Sequence, residues 1–130
     1  MPSLVNLEFT KHCNAKCGFC ACWQVNSPGE MEDYSPIIKM MRPVVVSISG
    51  GEPLVRKDYD VLIRKMRPYC HFLSIITNGK LLNEESAMRL YEAGIDNICV
   101  SLDYIGEKHD EMRRIPGLYE HISRIVPLLA

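Results

Sequence analysis

Three cysteines stand close together near the start of the chain, in the run Cys-Asn-Ala-Lys-Cys-Gly-Phe-Cys formed by residues 13–20. The spacing puts the thiolates of Cys13, Cys17 and Cys20 on one short loop. A closed zinc or iron–sulfur site takes four protein ligands. A site with three protein ligands keeps one metal position open, and reactions take place at such open positions. The triplet therefore predicts a metal site that is capable of chemistry.

The composition narrows the class of protein. The chain has 130 residues, 47% of them hydrophobic, which is enough for one domain with a buried core. A formal net charge of −1 provides no basic surface for nucleic acid. No apolar stretch reaches the roughly 18 residues of a membrane span, and the N-terminus lacks the pattern of a signal peptide. We therefore expect a cytoplasmic protein that binds neither nucleic acid nor membrane.

The six cysteines point to metal-bound thiolates in a reducing cytoplasm and not to a disulfide framework. Three of them are crowded within eight residues, and Cys99 lies inside an apolar run. Cys99 and Cys70 are expected to be small apolar packing residues.

Four strand-like segments alternate with helical patterns along the chain. The strand candidates are Leu4–Phe9, Val44–Ile48, Phe72–Ile76 and Ile98–Leu102. The last three begin roughly every 26–28 residues, a spacing typical of βαβ units. Runs of consecutive apolar residues joined by helices predict a parallel sheet that is buried on both faces.

The helical patterns have recognisable faces and ends. A short helix is expected over Ser35–Met41, before Pro43. Asn83 is the predicted N-cap of another helix and Gly94 its C-terminal stop. Two further helices follow from apolar residues at helical spacing, the first through Tyr59, Leu62, Ile63 and Met66 and the last through Leu118, Ile122, Ile125 and Leu129. Met88, Leu90 and Tyr91 supply the apolar residues of the helix that begins after Asn83.

Every predicted strand ends in, or is followed by, polar or glycine-rich residues. They are the cysteine loop, Ser49–Pro53, Thr77–Gly79 and Ser101–Asp103. The C-terminal ends of parallel strands share one rim, so these segments are expected to converge in space. The pair Gly50-Gly51 permits a close backbone approach or a positive φ. Glu52 then either accepts hydrogen bonds from an amino group of a ligand or is an exposed residue of an ordinary strand-to-helix turn.

These residues resemble the motifs of the radical S-adenosylmethionine (SAM) superfamily. The three cysteines, with aromatic Phe19 before the third, resemble that family's cluster loop. Gly50–Pro53 resembles its motif near the SAM amino group. Thr77–Gly79 and Ser101–Asp103 resemble the ends of its third and fourth strands, in the same order and spacing.

The resemblance implies a 4Fe–4S cluster held by Cys13, Cys17 and Cys20, with SAM chelating the fourth iron. It also implies seven contacts with SAM: Phe19 at the adenine, Gly51 and Glu52 at the amino group, Thr77, Ser101 and Asp103 near the ribose or the carboxylate, and Arg113 at the carboxylate.

The function that follows from the resemblance is that of an oxidoreductase or maturase. One electron, supplied by a donor such as flavodoxin or ferredoxin, cleaves SAM reductively to methionine and a 5′-deoxyadenosyl radical. That radical abstracts hydrogen from an unidentified small-molecule or peptide substrate, in peptide maturation or cofactor biosynthesis. The cofactors carry the chemistry, so no side chain is assigned as acid, base or nucleophile.

The resemblance also sets the expected fold: α/β, a parallel-stranded partial TIM-type barrel. The family usually has six βα units, and four are present here. We therefore expect residues 1–130 to form the N-terminal portion of a radical SAM catalytic domain, apparently truncated at its C-terminus. The fourth strand would then keep an open edge, which predicts marginal stability and aggregation for this piece alone.

The pattern resembles the subgroup that contains molybdenum-cofactor synthases and peptide-modifying maturases. Ser47 stands where the molybdenum-cofactor synthases typically carry a nucleotide-binding arginine, which weighs against that activity. The alternative function is a non-catalytic iron–sulfur or zinc-binding module with Cys22 as fourth ligand. The single residue between Cys20 and Cys22 makes chelation of one metal by both awkward.

Several other residues have ordinary structural interpretations. Cys22 and Trp23 are expected to pack beside the cysteine loop. Arg56–Asp58 is expected to be a solvated helix start. His71, His109 and His121 are expected to be surface or hydrogen-bonded residues.

Overall fold

The sheet of this protein is built in chain order. A computed structural model describes residues 2–130, and all structural statements below refer to them. The strands β1 (Leu4–Glu8), β2 (Val45–Ser49), β3 (Phe72–Thr77) and β4 (Asn97–Val100) are parallel and neighbour one another in that order. The predicted α/β fold with a parallel partial barrel is confirmed, and each strand lies within one or two residues of its predicted bounds.

Five α-helices follow the strands: α1 (Ser35–Met41), α2 (Tyr59–Met66), α3 (Glu84–Ala93), α4 (Glu107–Arg113) and α5 (Leu118–Leu129). The main core lies between helices and sheet, where Val46, Ile48, Leu73 and Ile75 are fully buried. The predicted apolar face of α2 is buried throughout.

The opposite face of the sheet is open, so the prediction of a sheet buried on both faces is wrong for the described chain. A row of polar residues crosses this face in register, Asn6 on β1, Ser47 on β2, Ser74 on β3 and Asn97 on β4. Cys99, expected to be an ordinary small apolar residue, is exposed on β4. A strand with one covered face alternates more and less buried residues, and β2 alternates buried and half-buried residues here.

Local sequence explains the bounds of α1 and α3. Helix α1 has its predicted limits and ends on Arg42, whose φ is 46°. Asn83 caps α3 by accepting a hydrogen bond from the backbone N–H of Ser86 at 2.8 Å, and Gly94 ends the helix in the left-handed conformation. Met88 and Tyr91 are exposed, so only Leu90 of the three predicted apolar residues enters the core.

The last predicted helix, α5, is preceded by the separate short helix α4. A tight connection after α4 contains Arg114 and Gly117, both at positive φ. The Asp110 carboxylate then accepts hydrogen bonds from the backbone N–H groups of Gly117 and Tyr119, each at 2.7 Å. Asp110 thereby satisfies free donors at the start of α5 from the preceding helix, which fixes the angle between the two.

A groove of about 680 Å³ lies between α3, the C-terminal end of α5 and β4. Its lining is mostly apolar, and none of the predicted site residues belongs to it. Among residues 2–130, every helix is too short or too polar to cross a membrane.

Arg56 is buried, which corrects the prediction of a solvated helix start at Arg56–Asp58. One guanidinium nitrogen donates to the backbone oxygens of Phe9 and Met31, both at 3.0 Å. The other side of the guanidinium forms two hydrogen bonds with the Asp58 carboxylate at 2.8 and 2.9 Å. Arg56 therefore ties the end of β1 to the turn after β2.

We expect Arg56→Met to lower the free energy of unfolding by about 2 kcal/mol, because it removes charge-assisted hydrogen bonds to buried backbone oxygens. Urea unfolding followed by circular dichroism measures the change. The control is Arg64→Met, since Arg64 is half exposed and makes only a 3.5 Å ion pair within α2, which predicts a change below about 0.5 kcal/mol. Equal effects of the two substitutions would contradict the anchoring role.

Candidate functional site

A cavity of about 150 Å³ lies at the C-terminal ends of the strands. The loop after β1 and the ends of β2, β3 and β4 all contribute to its wall, as the polar segments after the strands predicted. Its lining includes Cys13, Cys17, Phe19, Cys20, Cys22, Trp23, Ser49, Gly50, Gly51, Thr77, Asn78, Ser101 and Arg113. Of the predicted site residues, only Glu52 and Asp103 lie behind the wall.

The cysteine loop is held from both sides. Trp23 donates its ring N–H to the Cys17 carbonyl at 3.2 Å, and Gly18 donates its backbone N–H to the carbonyl of Met112 in α4 at 3.3 Å. Within the loop, the Cys20 N–H lies 3.3 Å from the same Cys17 carbonyl. These contacts place the three thiols on one wall of the cavity.

Burial affects the protonation of Cys13 and Cys17. It raises the pKa of Cys13 and of Cys17, and for Cys17 the nearby charge of Arg113 acts in the opposite direction. The pKa of Cys22 is raised chiefly by its hydrogen bond with Cys20. All six cysteines are free thiols. A thiol must lose its proton to bind metal, so iron uptake here would release protons.

The donor set suits an iron–sulfur cluster better than a single ion. Within residues 2–130, no three His, Cys, Asp or Glu side chains surround a point that could hold one metal ion. A 4Fe–4S cluster does not need that arrangement, because each thiolate binds a different iron. Three soft sulfur donors from one loop, lining one cavity, fit such a cluster.

The glycine turn after β2 packs directly on the cysteine loop. Gly51 donates its N–H to the Thr10 carbonyl at 2.7 Å, and Glu52 donates to the His12 carbonyl at 2.8 Å. A Cβ atom on Gly51 would overlap the backbone oxygen of His12, and Gly50 has a φ of 128°. Both glycines are therefore required by the contact between the two loops.

Glu52 is fully buried, which excludes the exposed glutamate of an ordinary turn. Its carboxylate accepts hydrogen bonds from the Thr77 hydroxyl at 2.7 Å, from the Asn78 N–H at 2.8 Å and from the Leu54 N–H at 3.1 Å. Burial raises the pKa of Glu52, while these three bonds act to lower it. The carboxylate thus joins the turn after β2 to the end of β3.

A second carboxylate organises the opposite wall. Asp103 accepts two hydrogen bonds from Arg113, at 2.6 Å from Nε and 3.0 Å from the terminal nitrogen, and they hold the pKa of Asp103 below its usual range. The guanidinium lies 5.3 Å from the centre of the Phe19 ring. Arg113 therefore presents a fixed positive charge to the cavity beside an exposed aromatic ring.

Two features of the site were missed from sequence. Asn78 lines the cavity, and its side-chain amide donates to the Asn14 oxygen at 2.7 Å, which joins the end of β3 to the cysteine loop. Its position inside the Thr77–Gly79 motif was the available signal. His109 is completely buried behind Asp103, and no pattern in the sequence indicates this.

We expect Gly51→Ala to destabilise the protein by about 1–3 kcal/mol, because the new methyl group has no space beside the His12 carbonyl. The matched control lies in the cysteine loop itself: a Cβ on Gly18 would have no heavy atom within 4 Å, so Gly18→Ala should leave stability almost unchanged. Thermal unfolding of the metal-free protein measures both. The close-contact argument fails if the two variants melt together.

Comparison with known proteins assigns the family. The profile of the radical SAM superfamily matches residues 7–129. Pre-heme d1 synthase of Dinoroseobacter shibae is 34% identical, over 87% of this chain and 30% of that protein. The probable GTP 3′,8-cyclase of Pyrococcus abyssi is 35% identical, over 83% of this chain and 37% of that protein.

Solved structures show the same fold. Streptococcus suis SuiB bound to S-adenosylmethionine superposes with a TM-score of 0.76 at 22% identity, over 88% of this chain and 28% of SuiB. The chain spans about a third of the length of the curated relatives it matches. Because the family profile covers nearly all of its residues, this protein belongs to the radical SAM superfamily.

Proposed function

We propose that this chain forms the cluster- and SAM-binding part of a radical SAM oxidoreductase or maturase. The observation that carries the proposal is the cavity at the strand ends. Three cysteines from one loop and polar residues from the ends of all the other strands line it together. Cys13, Cys17 and Cys20 would bind three irons of a 4Fe–4S cluster, and SAM would take the open side of the cavity. When bound, this pair of cofactors supplies a 5′-deoxyadenosyl radical that abstracts hydrogen from the substrate.

The electrostatics of the wall suit the methionine end of SAM. Arg113 would supply a cation for its carboxylate, and two hydrogen bonds to Asp103 hold the guanidinium in place. The hydroxyl of Ser101 makes no hydrogen bond within residues 2–130 and is free to meet a polar ligand atom. The Thr77 hydroxyl already donates to Glu52 and accepts from the Gly79 N–H at 3.0 Å, so it acts mainly by shaping the wall.

A contact between Glu52 and the SAM amino group requires an exchange of hydrogen bonds. The carboxylate now accepts from three donors and lies behind the cavity wall. An ammonium group would have to share an oxygen with Thr77 or Asn78. The buried Glu52 carboxylate would then have two compatible roles. It would hold the turn after β2, and it would attract the ammonium group of SAM.

The substrate is proposed to be a small molecule or a peptide, as in cofactor biosynthesis or peptide maturation. Relatives of both kinds are similar to this chain: one is a pre-heme d1 synthase, and the solved SuiB was also crystallised with its precursor peptide SuiA. The four strands contain no lysine or arginine, and Ser47 lies on the open face. These four strands therefore offer no lysine or arginine side chain to a nucleoside triphosphate.

Two further parts of the proposal follow from the chemistry. An external one-electron donor, of the flavodoxin or ferredoxin kind, would have to reduce the cluster. A cluster held by three thiolates also needs reduced cysteines, which is the condition of the cytoplasm.

The test is anaerobic reconstitution with iron and sulfide, followed by SAM and dithionite. We expect a 4Fe–4S absorption and EPR signal that changes when SAM is added, and formation of 5′-deoxyadenosine. Serine at Cys13, Cys17 or Cys20 should abolish the cluster, because an iron ligand is lost. The matched control is Cys70→Ser. Cys70 lies in a different part of the chain, and its thiol donates a hydrogen bond to the Met66 carbonyl of α2.

One observation keeps the zinc-binding module as a second candidate: Cys22 lines the same cavity as Cys13, Cys17 and Cys20. Cys22→Ser separates the two functions. A 4Fe–4S cluster should survive this substitution, whereas a four-cysteine zinc site should lose its metal. Stoichiometric zinc in the untreated protein, lost in Cys22→Ser, or a cluster whose EPR spectrum ignores SAM, would contradict the proposed enzyme.

A further inference from the structure

His109 is an unusual residue behind the cavity wall. Its side chain is completely buried, and its Nδ1 atom accepts a hydrogen bond from the backbone N–H of Asp103 at 3.3 Å. Its other ring nitrogen, Nε2, is buried without a hydrogen-bond partner among residues 2–130. A buried polar atom without a partner lowers stability, and an apolar side chain of similar size would avoid that loss. The bond made by Nδ1 is therefore the feature that requires a histidine here.

The hydrogen bond to Asp103 also defines the form of the ring. Because Nδ1 accepts a hydrogen bond from an N–H group, Nδ1 carries no proton and the ring proton lies on Nε2. Burial, together with the charge of Arg113, lowers the pKa of His109 and keeps the ring neutral. The Asp103 carboxylate lies 3.8 Å from Nδ1, but with no proton on Nδ1 it is left to pair with Arg113 alone.

The segment that carries Asp103 has few other restraints. It runs from the end of β4 to the start of α4 without regular structure, and Leu102 and Ile105 within it are exposed. The Nδ1 bond ties the middle of this segment to α4. The conformation of Asp103 in turn sets the direction of the carboxylate that holds Arg113.

We propose that His109 is a positioning residue: it fixes the backbone of Asp103 so that the carboxylate presents the Arg113 guanidinium to the cavity. The order of contacts is His109 Nδ1 to the Asp103 N–H, the Asp103 carboxylate to Arg113, and Arg113 to the cavity and the Phe19 ring. The ligand that this arrangement recognises is the carboxylate of SAM, and this last step rests on the proposed function.

Two amides test the role of Nδ1. In His109→Asn the side-chain oxygen reaches the position of Nδ1, so the Asp103 N–H keeps an acceptor. In His109→Gln the same amide is one bond longer and its oxygen falls near the position of Nε2. The two variants therefore differ mainly in where the acceptor lies.

The first readout needs no cofactor. The side-chain Nε–H of Arg113 should give a protected ¹H–¹⁵N signal in the metal-free protein, because it is bonded to Asp103, and Arg113→Lys assigns the signal. We expect the signal in the wild type and in His109→Asn, and its loss in His109→Gln. If the glutamine variant does not fold, His109→Leu takes its place with the same expectation, since it fills a similar volume without an acceptor.

The second readout is the dissociation constant of SAM for the reconstituted protein. We expect about tenfold weaker binding for His109→Gln and a change within about twofold for His109→Asn, the difference of one hydrogen bond. Equal Arg113 signals and equal affinities in the two variants would overturn the inference while leaving the proposed function intact. A different outcome is also possible: the Arg113 signal is kept in His109→Asn and lost in His109→Gln, but the protein binds no SAM. That result would support the positioning role and refute the proposed function.

Discussion

The close packing of two loops is the constraint on which the rest of the site depends. The turn after β2 meets the cysteine loop backbone to backbone, through the bonds from Gly51 to Thr10 and from Glu52 to His12. Only glycine leaves room for this approach at position 51. The contact between the two loops also buries Glu52, whose carboxylate reaches the end of β3. One contact thus sets both the wall that carries the thiols and the wall that faces them.

The two carboxylates of the site perform different tasks because their surroundings differ. Glu52 is enclosed by neutral donors and its pKa is raised by burial, whereas Asp103 is partly exposed and its pKa is lowered by Arg113. The first acts as a structural acceptor that joins three segments. The second keeps a cation in position. The cavity between them therefore has a buried carboxylate behind one wall and the Arg113 cation at the other.

Much of the fold was predictable from sequence because its signals are local. Apolar runs identified the strands, Asn83 and Gly94 marked the ends of α3, and the polar segments after the strands predicted where the cavity lies. The failures involve contacts between distant segments. Arg56 is buried by the end of β1, the open sheet face exposes Cys99, and Asp110 caps a helix from the preceding one. Burial of His109 depends on how α4 packs in the folded chain, and no periodic pattern in the sequence indicates it.

The chain-order arrangement of the sheet has a consequence for how the protein matures. The thiol of Cys17 lies 4.0 Å from the carbonyl of Arg113, 96 residues away along the chain. Contacts of such long range form late in folding, because much chain entropy must be lost before they are made. During synthesis the cysteine loop is complete well before α4 has emerged. The wall that Arg113 contributes therefore forms after the cysteine loop has been synthesised.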